Sequence, residues 1–253
     1  MFSSNELKKL KLKALKLRQD TLIMFQKKKE AHLGGSFSMI EIIVAIYSKI
    51  LKKKDKFILS KSHASFPLCI LLREKGLKPK ITTHLEIDEK NGIFSTTGSL
   101  GHGLPIAAGM AFANKILKKR DKIYVLISDG ECQEGTTWET LLFAAKHKLE
   151  NLIILIDYNK IQALSRLDDA LAIDSLAEKF RAFKWVCEEV EDGHDFASII
   201  PALDQPATEG PRAVLLHTVK GKGIPQFEDD PVWHARKLKG DELEVGKKAL
   251  GIP

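Results

Sequence analysis

The chain has 253 residues, of which 44% are hydrophobic and 29% charged, with a formal net charge of +7. This composition is typical of a soluble globular protein, and no run of about 20 apolar residues predicts a membrane span. The lysines are spread along the chain without an aromatic-rich RNA motif or a zinc finger, which argues against a nucleic-acid partner.

The N-terminal segment and the cysteines indicate the cellular compartment. The first twenty residues lack an uninterrupted apolar core and a small-residue cleavage site, so we expect no signal peptide. Cys69, Cys132 and Cys187 are scattered without a CxxC pair. A reduced, cytoplasmic setting is therefore predicted.

The first hundred residues predict helices around one short strand. Apolar residues at helical spacing between Leu7 and Phe25 predict a first helix of about twenty residues. A glycine-containing break, HLGGSFS, precedes a second helix over residues 39–50. A strand over residues 57–60 leads through a loop into another helix, and residues 78–98 are predicted to form a long loop.

From residue 104 onward, helices alternate with strands. Helices are predicted over residues 104–118, 136–147, 175–183 and 196–203, with a short one near 241–250. Strands are predicted over residues 122–127, 151–157, 185–190 and 212–218. This alternation predicts an α/β fold, a parallel sheet flanked by helices on both faces, in a single domain over residues 1–253.

Polar residues follow two of these strands. Asp129 and Gly130 follow one strand, Asn159 follows the next, and ligands of such sheets bind beyond the carboxyl ends of the strands. Carboxylate and amide oxygens suit Mg²⁺ or Ca²⁺, which can complete their shell with phosphates, waters and a backbone carbonyl. Gly130 lets a phosphate approach the main chain. Asp-Gly and Asn-Lys are, however, also ordinary turn formers.

Five segments, in order, resemble transketolases. SDGECQEG followed by NLIILIDYNKIQ resembles the thiamine-diphosphate signature, Gly-Asp-Gly and a later Asn, with Ser128 at the first glycine. EAHLGGSFSMIE, with Leu33 in place of a proline, and FILSKSHAS resemble two earlier segments. STTGSLGHGLPIAAGMA, with Ser99 and His102 as variants, and VKGKGIPQFEDDPVWHA resemble two more. Together they span residues 31–235.

The resemblance implies a role for each matching position. Asp129, Asn159 and the carbonyl of Ile161 would hold Mg²⁺ or Ca²⁺. Further contacts to thiamine diphosphate would come from His63, Gly98, Leu100, Gly130, Glu131 and Glu134. Glu134 matches the acid that the family places at the subunit interface behind the cofactor. His32, His84 and His234 would be the catalytic histidines that face the substrate, although the neighbours of His84 lack the usual Gly-His-Pro.

The activity that the resemblance implies is transfer of a two-carbon ketol unit from a ketose phosphate to an aldose. Thiamine diphosphate would be the electron sink, and histidines, which titrate near neutral pH, would serve proton transfer. The resemblance covers only the diphosphate-binding half, and the pyrimidine-binding half has no counterpart. We therefore expect the N-terminal subunit of a split transketolase, completed by a C-terminal partner subunit in a heterotetramer with two copies of each chain.

Two other functions stay open. One is a different thiamine-diphosphate enzyme, of the deoxyxylulose-phosphate synthase or oxo-acid type. The other is a non-catalytic interaction module of the same fold. Retention of His32, His63 and His234 favours sugar substrates over oxo acids, and the intact metal ligands argue against the module.

Several other polar and aromatic residues are interpreted as structural. His102 either touches the cofactor or fills its turn. Cys132 has no evident activating base beside it, which argues against a nucleophile. Trp138 and Glu139 are interpreted as packing or interface residues. Histidines at a helix end, in a turn and in a strand are interpreted in the same way: His147, His194 and His217.

Overall fold

A parallel sheet of five strands forms the centre of the fold in a computed structural model of the chain. The structure describes residues 2–28, 32–163, 165–173, 175–206 and 210–253. Its strands are β1 (Lys56–Leu59), β2 (Ile123–Ser128), β3 (Leu152–Tyr158), β4 (Val186–Val190) and β5 (Arg212–His217). They are ordered β1-β2-β3-β5-β4, and every neighbouring pair is parallel. Every residue of β2 and β3 is buried, as expected of strands covered on both faces.

Helices cover the two faces of the sheet. They are α1 (Ser4–Lys28), α2 (Leu33–Ser38), α3 (Ile40–Ala45), α4 (Phe66–Glu74), α5 (Gly103–Ile116), α6 (Gly135–Lys146), α7 (Leu167–Leu171), α8 (Leu176–Ala182), α9 (Phe196–Leu203) and α10 (Glu242–Ala249). Side chains alternate along each strand, so Leu126 and Leu155 pack with α1–α4 and α9, whereas Val125 and Ile154 pack with α5, α6 and α8. The predicted α/β sheet with helices on both faces is confirmed.

The helices and strands predicted from residue 104 onward are confirmed to within two residues, but one earlier prediction was wrong. The predicted break HLGGSFS is mostly α2, because Gly34 serves close packing within a helix. A Cβ on Gly34 would lie 2.9 Å from both Lys220 Cγ and the Trp233 carbonyl oxygen. The helix predicted over residues 39–50 is confirmed, as α3 followed directly by a π-helical turn, Ile46–Ile50. One short helix, α7, was not predicted.

The carboxyl ends of all five strands lie at one rim of the sheet, because every neighbouring pair is parallel. A 3₁₀ turn, Ser62–Ala64, follows β1, and another, Asp129–Gln133, follows β2. Ser128 pairs in register with Asp157, so Asp129 and Asn159 follow the ends of two neighbouring strands at the same rim, as predicted. None of the described helices has the length and apolar character needed to cross a bilayer.

Candidate functional site

A cavity of about 140 Å³ lies at this rim. It is lined by Gly35, Lys61, His63, Leu100, Ser128, Asp129, Gly130, Gln133, Glu134, Asn159, Ile161, Gln162, Ala163, Lys220 and His234. Pockets that enclose a drug-sized ligand usually measure about 300–1,000 Å³. This cavity therefore has room for one end of an extended ligand and leaves the other end outside the chain.

Asp129 enters the cavity from the turn after β2. Ser128 begins this turn in extended conformation, with φ −93°, so the position at which the family has glycine tolerates a side chain. The Asp129 carboxylate is buried and accepts the N–H groups of Gly130 at 2.8 Å and Lys160 at 2.6 Å. Burial, together with the charge of Asp157, raises the pKa of Asp129 to about 7.

The amide of Asn159 is oriented by its neighbours. Its Nδ2 donates to Asp157 at 3.4 Å, and its Oδ1 accepts the N–H of Ile161 at 3.1 Å. One carboxylate, one amide oxygen and the Ile161 carbonyl are hard oxygen donors that suit Mg²⁺. Across the described ranges no group of three or more His, Cys, Asp or Glu side chains could hold a metal. The remaining ligands would come from water and phosphate, as is usual for Mg²⁺.

A fully buried ion pair supports the cavity floor. Lys61 contacts Asp157 at hydrogen-bond distance and also donates to the Gly35 carbonyl at 2.9 Å. Ser38 donates to Asp157 at 2.6 Å, and Thr218 also donates to it. Burial acts to raise the pKa of Asp157, but the Lys61 charge and these hydrogen bonds outweigh it, so the pKa is lowered. Asp157 is therefore an ionised anchor for Lys61 and Asn159.

Lys220 places a second buried ammonium group in the cavity wall. Its Nζ donates to the carbonyls of Ile161 at 2.8 Å and Gln162 at 3.2 Å, and it lies 2.9 Å from His234 Nδ1. Burial and then the nearby charge of Lys61 lower the pKa of Lys220 to about 7. Because these three partners are neutral, a phosphate at the cavity would restore the ammonium form.

Three histidines form a triangle at the cavity. The ring centres are 5.3 Å apart for His32 and His63, 5.5 Å for His32 and His234, and 5.4 Å for His63 and His234. Burial and then Lys61 hold the pKa of His63 well below its usual value, and burial and then Lys220 lower that of His234 to about 3. Both rings are therefore neutral near pH 7.

Nearby groups fix the proton position of His234 and the backbone conformation of His32. In its ammonium form Lys220 has no acceptor, so His234 Nδ1 then accepts from Lys220 and the proton of His234 lies on Nε2. His32 has a left-handed backbone, φ 70°, at the start of α2, and its carbonyl accepts from the Ser36 hydroxyl at 2.9 Å. This conformation is uncommon for a residue with a side chain and is often found at functional sites.

The remaining predicted cofactor contacts differ in position. Leu100 and Glu134 lie at the cavity mouth and are exposed. Glu131 is fully buried behind the wall, where it accepts the N–H of Gly101 at 3.0 Å and contacts the Ser60 hydroxyl. Burial raises the pKa of Glu131. Its contacts are with the chain itself, and it does not line the cavity.

His84 and Gly98 lie together but away from the cavity wall. His84 is exposed, and a Cβ on Gly98 would lie 2.7 Å from His84 Cδ2. A glycine is therefore required at position 98, because a side chain there would collide with the ring of His84. The structure brings His32, His63 and His234 together and leaves His84 outside this cluster.

The residues interpreted as structural have ordinary partners. His102 is exposed with its Nδ1 3.1 Å from the Leu100 carbonyl oxygen, so it fills its turn. Cys132 is fully buried, and burial raises its pKa well above the usual value, which makes it a poor nucleophile. Aromatic rings flank three further residues: His147 lies between Phe112 and Phe143, His217 contacts Tyr158, and Trp138 contacts Phe180 and Phe183.

Sequence reasoning did not single out Lys61, Asp157, Gln162 or Lys220. A signal was present for Asp157, because a lone acid within the apolar run LIILIDY needs a buried partner. Lys61 and Lys220 both lie in segments that resemble transketolase, but nothing local indicates that their side chains turn inward.

Comparison with known proteins agrees with this geometry. Residues 11–253 match the family model described as "Transketolase, thiamine diphosphate binding domain". The chain is 36% identical over 241 residues to one of the subunits of an apulose-4-phosphate transketolase from Actinobacillus succinogenes, covering 87% of each chain. It is 34% identical to "6-deoxy-6-sulfo-D-fructose transketolase subunit SqwG" of a Clostridium species, covering 88% of this chain and 89% of the relative.

A solved structure of a longer relative is also similar. Transketolase from Campylobacter jejuni superposes with a TM-score of 0.82 at 27% identity, covering 95% of this chain and 43% of that one. The chain thus spans less than half the length of this transketolase but most of the length of the two subunits.

Proposed function

This chain belongs to the transketolase family, in which it corresponds to the thiamine diphosphate-binding domain, and we propose that it is the diphosphate-binding subunit of a two-subunit transketolase. It would transfer a two-carbon ketol unit from a ketose phosphate to an aldose. The observation that carries this proposal is the cavity, which combines hard oxygen donors, the side chains of two buried lysines and two histidines in one small volume, with His32 beside both histidines.

Each side of the cavity suits one part of the proposed ligand. Asp129, Asn159 and the Ile161 carbonyl would hold Mg²⁺, and the ammonium groups of Lys61 and Lys220 would neutralise the diphosphate. Gly130 leaves room for a phosphate, because a Cβ there would meet no atom closer than 3.9 Å. The donor set and the charge therefore both fit thiamine diphosphate with a magnesium ion.

The histidines would orient the sugar and handle its protons. Thiamine diphosphate, when bound, supplies the carbon nucleophile and the electron sink of ketol transfer. His234 presents its Nε2–H to the cavity, because Lys220 occupies Nδ1, so it can donate a hydrogen bond to a substrate oxygen. His32 lies beside it and would face the same substrate, while the neutral ring of His63 would contact the diphosphate.

A second polypeptide would complete the site. Two relatives that match most of this chain's length are named transketolase subunits, and the cavity accommodates only one end of an extended cofactor. The partner would supply the pyrimidine-binding half of the site. The three cysteines are buried free thiols, which supports a reduced, cytoplasmic setting.

The substrates would be sugars that carry an anionic group. One relative is named for a 4-phosphate sugar and another for a 6-sulfo sugar. We propose a ketose phosphate as donor and an aldose as acceptor. Neutral histidines suit sugar hydroxyls better than the carboxylate of an oxo acid.

The experiment compares the chain alone with the reconstituted pair. Xylulose 5-phosphate and ribose 5-phosphate are supplied with Mg²⁺ and thiamine diphosphate, first with this chain and then with the candidate partner added. We expect turnover only with both chains. Turnover by this chain alone would refute the two-subunit proposal, and a complex that fails to bind the cofactor would indicate a non-catalytic module.

A further inference from the structure

Behind the cavity wall, three polar side chains from separate parts of the chain form a continuous set of hydrogen bonds. Arg18 of α1 donates through Nη2 to both carboxylate oxygens of Glu41 in α3, each at 2.9 Å. His194, in the loop between β4 and α9, has its Nδ1 2.9 Å from Glu41 Oε2. Arg18 and Glu41 are buried, and buried charges are tolerated when they are paired in this way.

These contacts determine the tautomer of His194. The N–H of Val219 donates to His194 Nε2 at 2.8 Å, so Nε2 carries no proton. The proton of the ring therefore lies on Nδ1 and is donated to Glu41. In this state His194 is neutral and links the Glu41 carboxylate to the main chain of Val219.

The linked main chain is the turn that carries Lys220. Besides the hydrogen bond at Val219, the Gly221 N–H donates to the Gly34 carbonyl at 3.1 Å. Gly223 packs directly on Arg18, because a Cβ there would lie 2.6 Å from Arg18 Cδ. Both ends of the turn thus rest on the Arg18, Glu41 and His194 group, and the Lys220 side chain leaves between them.

We propose that Glu41 and His194 are positioning residues for Lys220. By holding the Val219 N–H, they aim the Lys220 ammonium at the carbonyl of Ile161 and at His234 Nδ1. Lys220 in turn keeps the proton of His234 on Nε2, where it faces the cavity. The proposal rests on the proposed function in one respect, namely that the ligand of Lys220 is a diphosphate.

The first test uses the chain without cofactor at about pH 6, below the pKa of about 7 of Lys220, so that the ammonium form of Lys220 predominates. Nitrogen-15 NMR of labelled histidines should show His194 protonated at Nδ1 and His234 protonated at Nε2. His194→Leu should mix the two tautomers of His234, because Lys220 is no longer held against it. His194→Gln should preserve the wild-type tautomer of His234, since an amide can accept from Val219 and donate to Glu41.

The second test uses the reconstituted complex at saturating Mg²⁺. His194→Leu should raise the Kd of thiamine diphosphate by about tenfold or more, as for other residues that orient a ligand-binding group. The KM for thiamine diphosphate should change more than kcat. His194→Gln should stay within about threefold of wild type. Trp185→Phe is the matched control, because it removes a buried hydrogen bond, 3.1 Å to the Leu141 carbonyl, without contacting the turn.

Two results would overturn the proposal: a wild-type His194 protonated at Nε2, or a folded His194→Leu variant with unchanged His234 tautomer and cofactor Kd. If His194→Leu does not fold, the wild-type tautomers of His194 and His234 decide. A wild-type complex that does not bind thiamine diphosphate would refute the proposed function, while the tautomers of the cofactor-free chain would still test the positioning role.

Discussion

In the chain without metal, the surroundings of Asp129 disfavour the charged form of its carboxylate. It is a buried carboxylate beside a second one, Asp157, and yet it lies in a cavity wall with oxygen donors around it. A raised pKa is the expected result of burial and a neighbouring like charge. A divalent cation would offset both the burial and the repulsion from Asp157. Substitution of Asp129 is therefore the most direct test of the proposed metal site.

Removal of either side-chain ligand should abolish metal-dependent cofactor binding. Asp129→Ala removes a charged ligand and Asn159→Ala an oriented amide oxygen, and an octahedral ion tolerates such losses poorly. We expect calorimetry on the reconstituted complex to detect no binding of thiamine diphosphate with Mg²⁺ in Asp129→Ala, and nearly none in Asn159→Ala. Asp121→Ala is the control, because Asp121 precedes β2 at the opposite end of that strand. Wild-type cofactor affinity in both cavity variants would contradict the proposed metal site.

The pH dependence of stability should report the pKa of Asp129. Its folded value of about 7 exceeds the unfolded value of 3.8, so the native state binds more protons between these values. The stabilising contribution is therefore complete below pH 3.8 and is lost as pH rises through 7, by at most about 1.4 kcal/mol per pH unit. Asp129→Asn should remove this slope from urea unfolding of the metal-free chain, and equal slopes in both proteins would disprove the assignment.

Substitutions in the histidine triangle should lower turnover without weakening cofactor binding. His32→Ala and His234→Ala leave the metal ligands and Lys61 in place, so cofactor affinity should change little. Turnover of a ketose phosphate by the complex should fall by about 10²–10⁴-fold, as is typical for a lost acid–base group. His102→Ala, outside the cavity wall, should turn over as wild type does. Full turnover in either triangle variant would show that its proposed role is wrong.

At the scale of elements, α5 and α6 together present an apolar surface to solvent. Leu117, directly after α5, is 62% exposed and Leu142 of α6 is 61% exposed, and Ile106, Ile116 and Phe143 are also exposed. The Phe112 and Phe143 rings, 5.4 Å apart, join the two helices. Exposed apolar surfaces mark interaction sites, and α6 begins directly after Glu134, where the resemblance predicts an interface.

A charge on this surface should impair assembly without unfolding the chain. Leu142→Glu places a carboxylate on the exposed side of α6, so the isolated chain should keep its far-ultraviolet circular dichroism. Co-purification with the partner subunit should fall by about tenfold or more, because an unpaired charge in an interface costs several kcal/mol. Leu12→Glu provides a control with 56% exposure on α1, and equal loss of assembly in both variants would argue against this surface.

Most of the elements were predictable because their signals are local. An apolar run after residue 122 and another after residue 151 are recognisable as buried strands from composition alone. The start of α2 was not, because Gly34 and Gly35 indicate a break locally, whereas the contact of Gly34 with Lys220 and Trp233 favours glycine within a helix. Neither contact partner is near α2 in the sequence.

At the scale of the whole molecule, the active species should contain two copies of each chain. Closed two-fold symmetry is the commonest arrangement for such assemblies, and each cavity needs a partner to cover its open end. Light scattering of the reconstituted enzyme should give twice the summed mass of this 28.3 kDa chain and its partner. An active complex with one copy of each chain would exclude the heterotetramer.

The sequence by itself determined the parallel α/β sheet and the location of Asp129 and Asn159 at its rim, because hydrophobic periodicity and the alternation of helices and strands along the chain are local patterns. Only the tertiary structure decided which charges meet in the cavity. Lys61 and Asp157 are 96 positions apart, and Lys220 reaches the carbonyl of a residue 59 positions earlier. A lysine in a polar loop is normally solvated, and it turns inward here because the fold provides a buried carboxylate for one and carbonyl oxygens for the other.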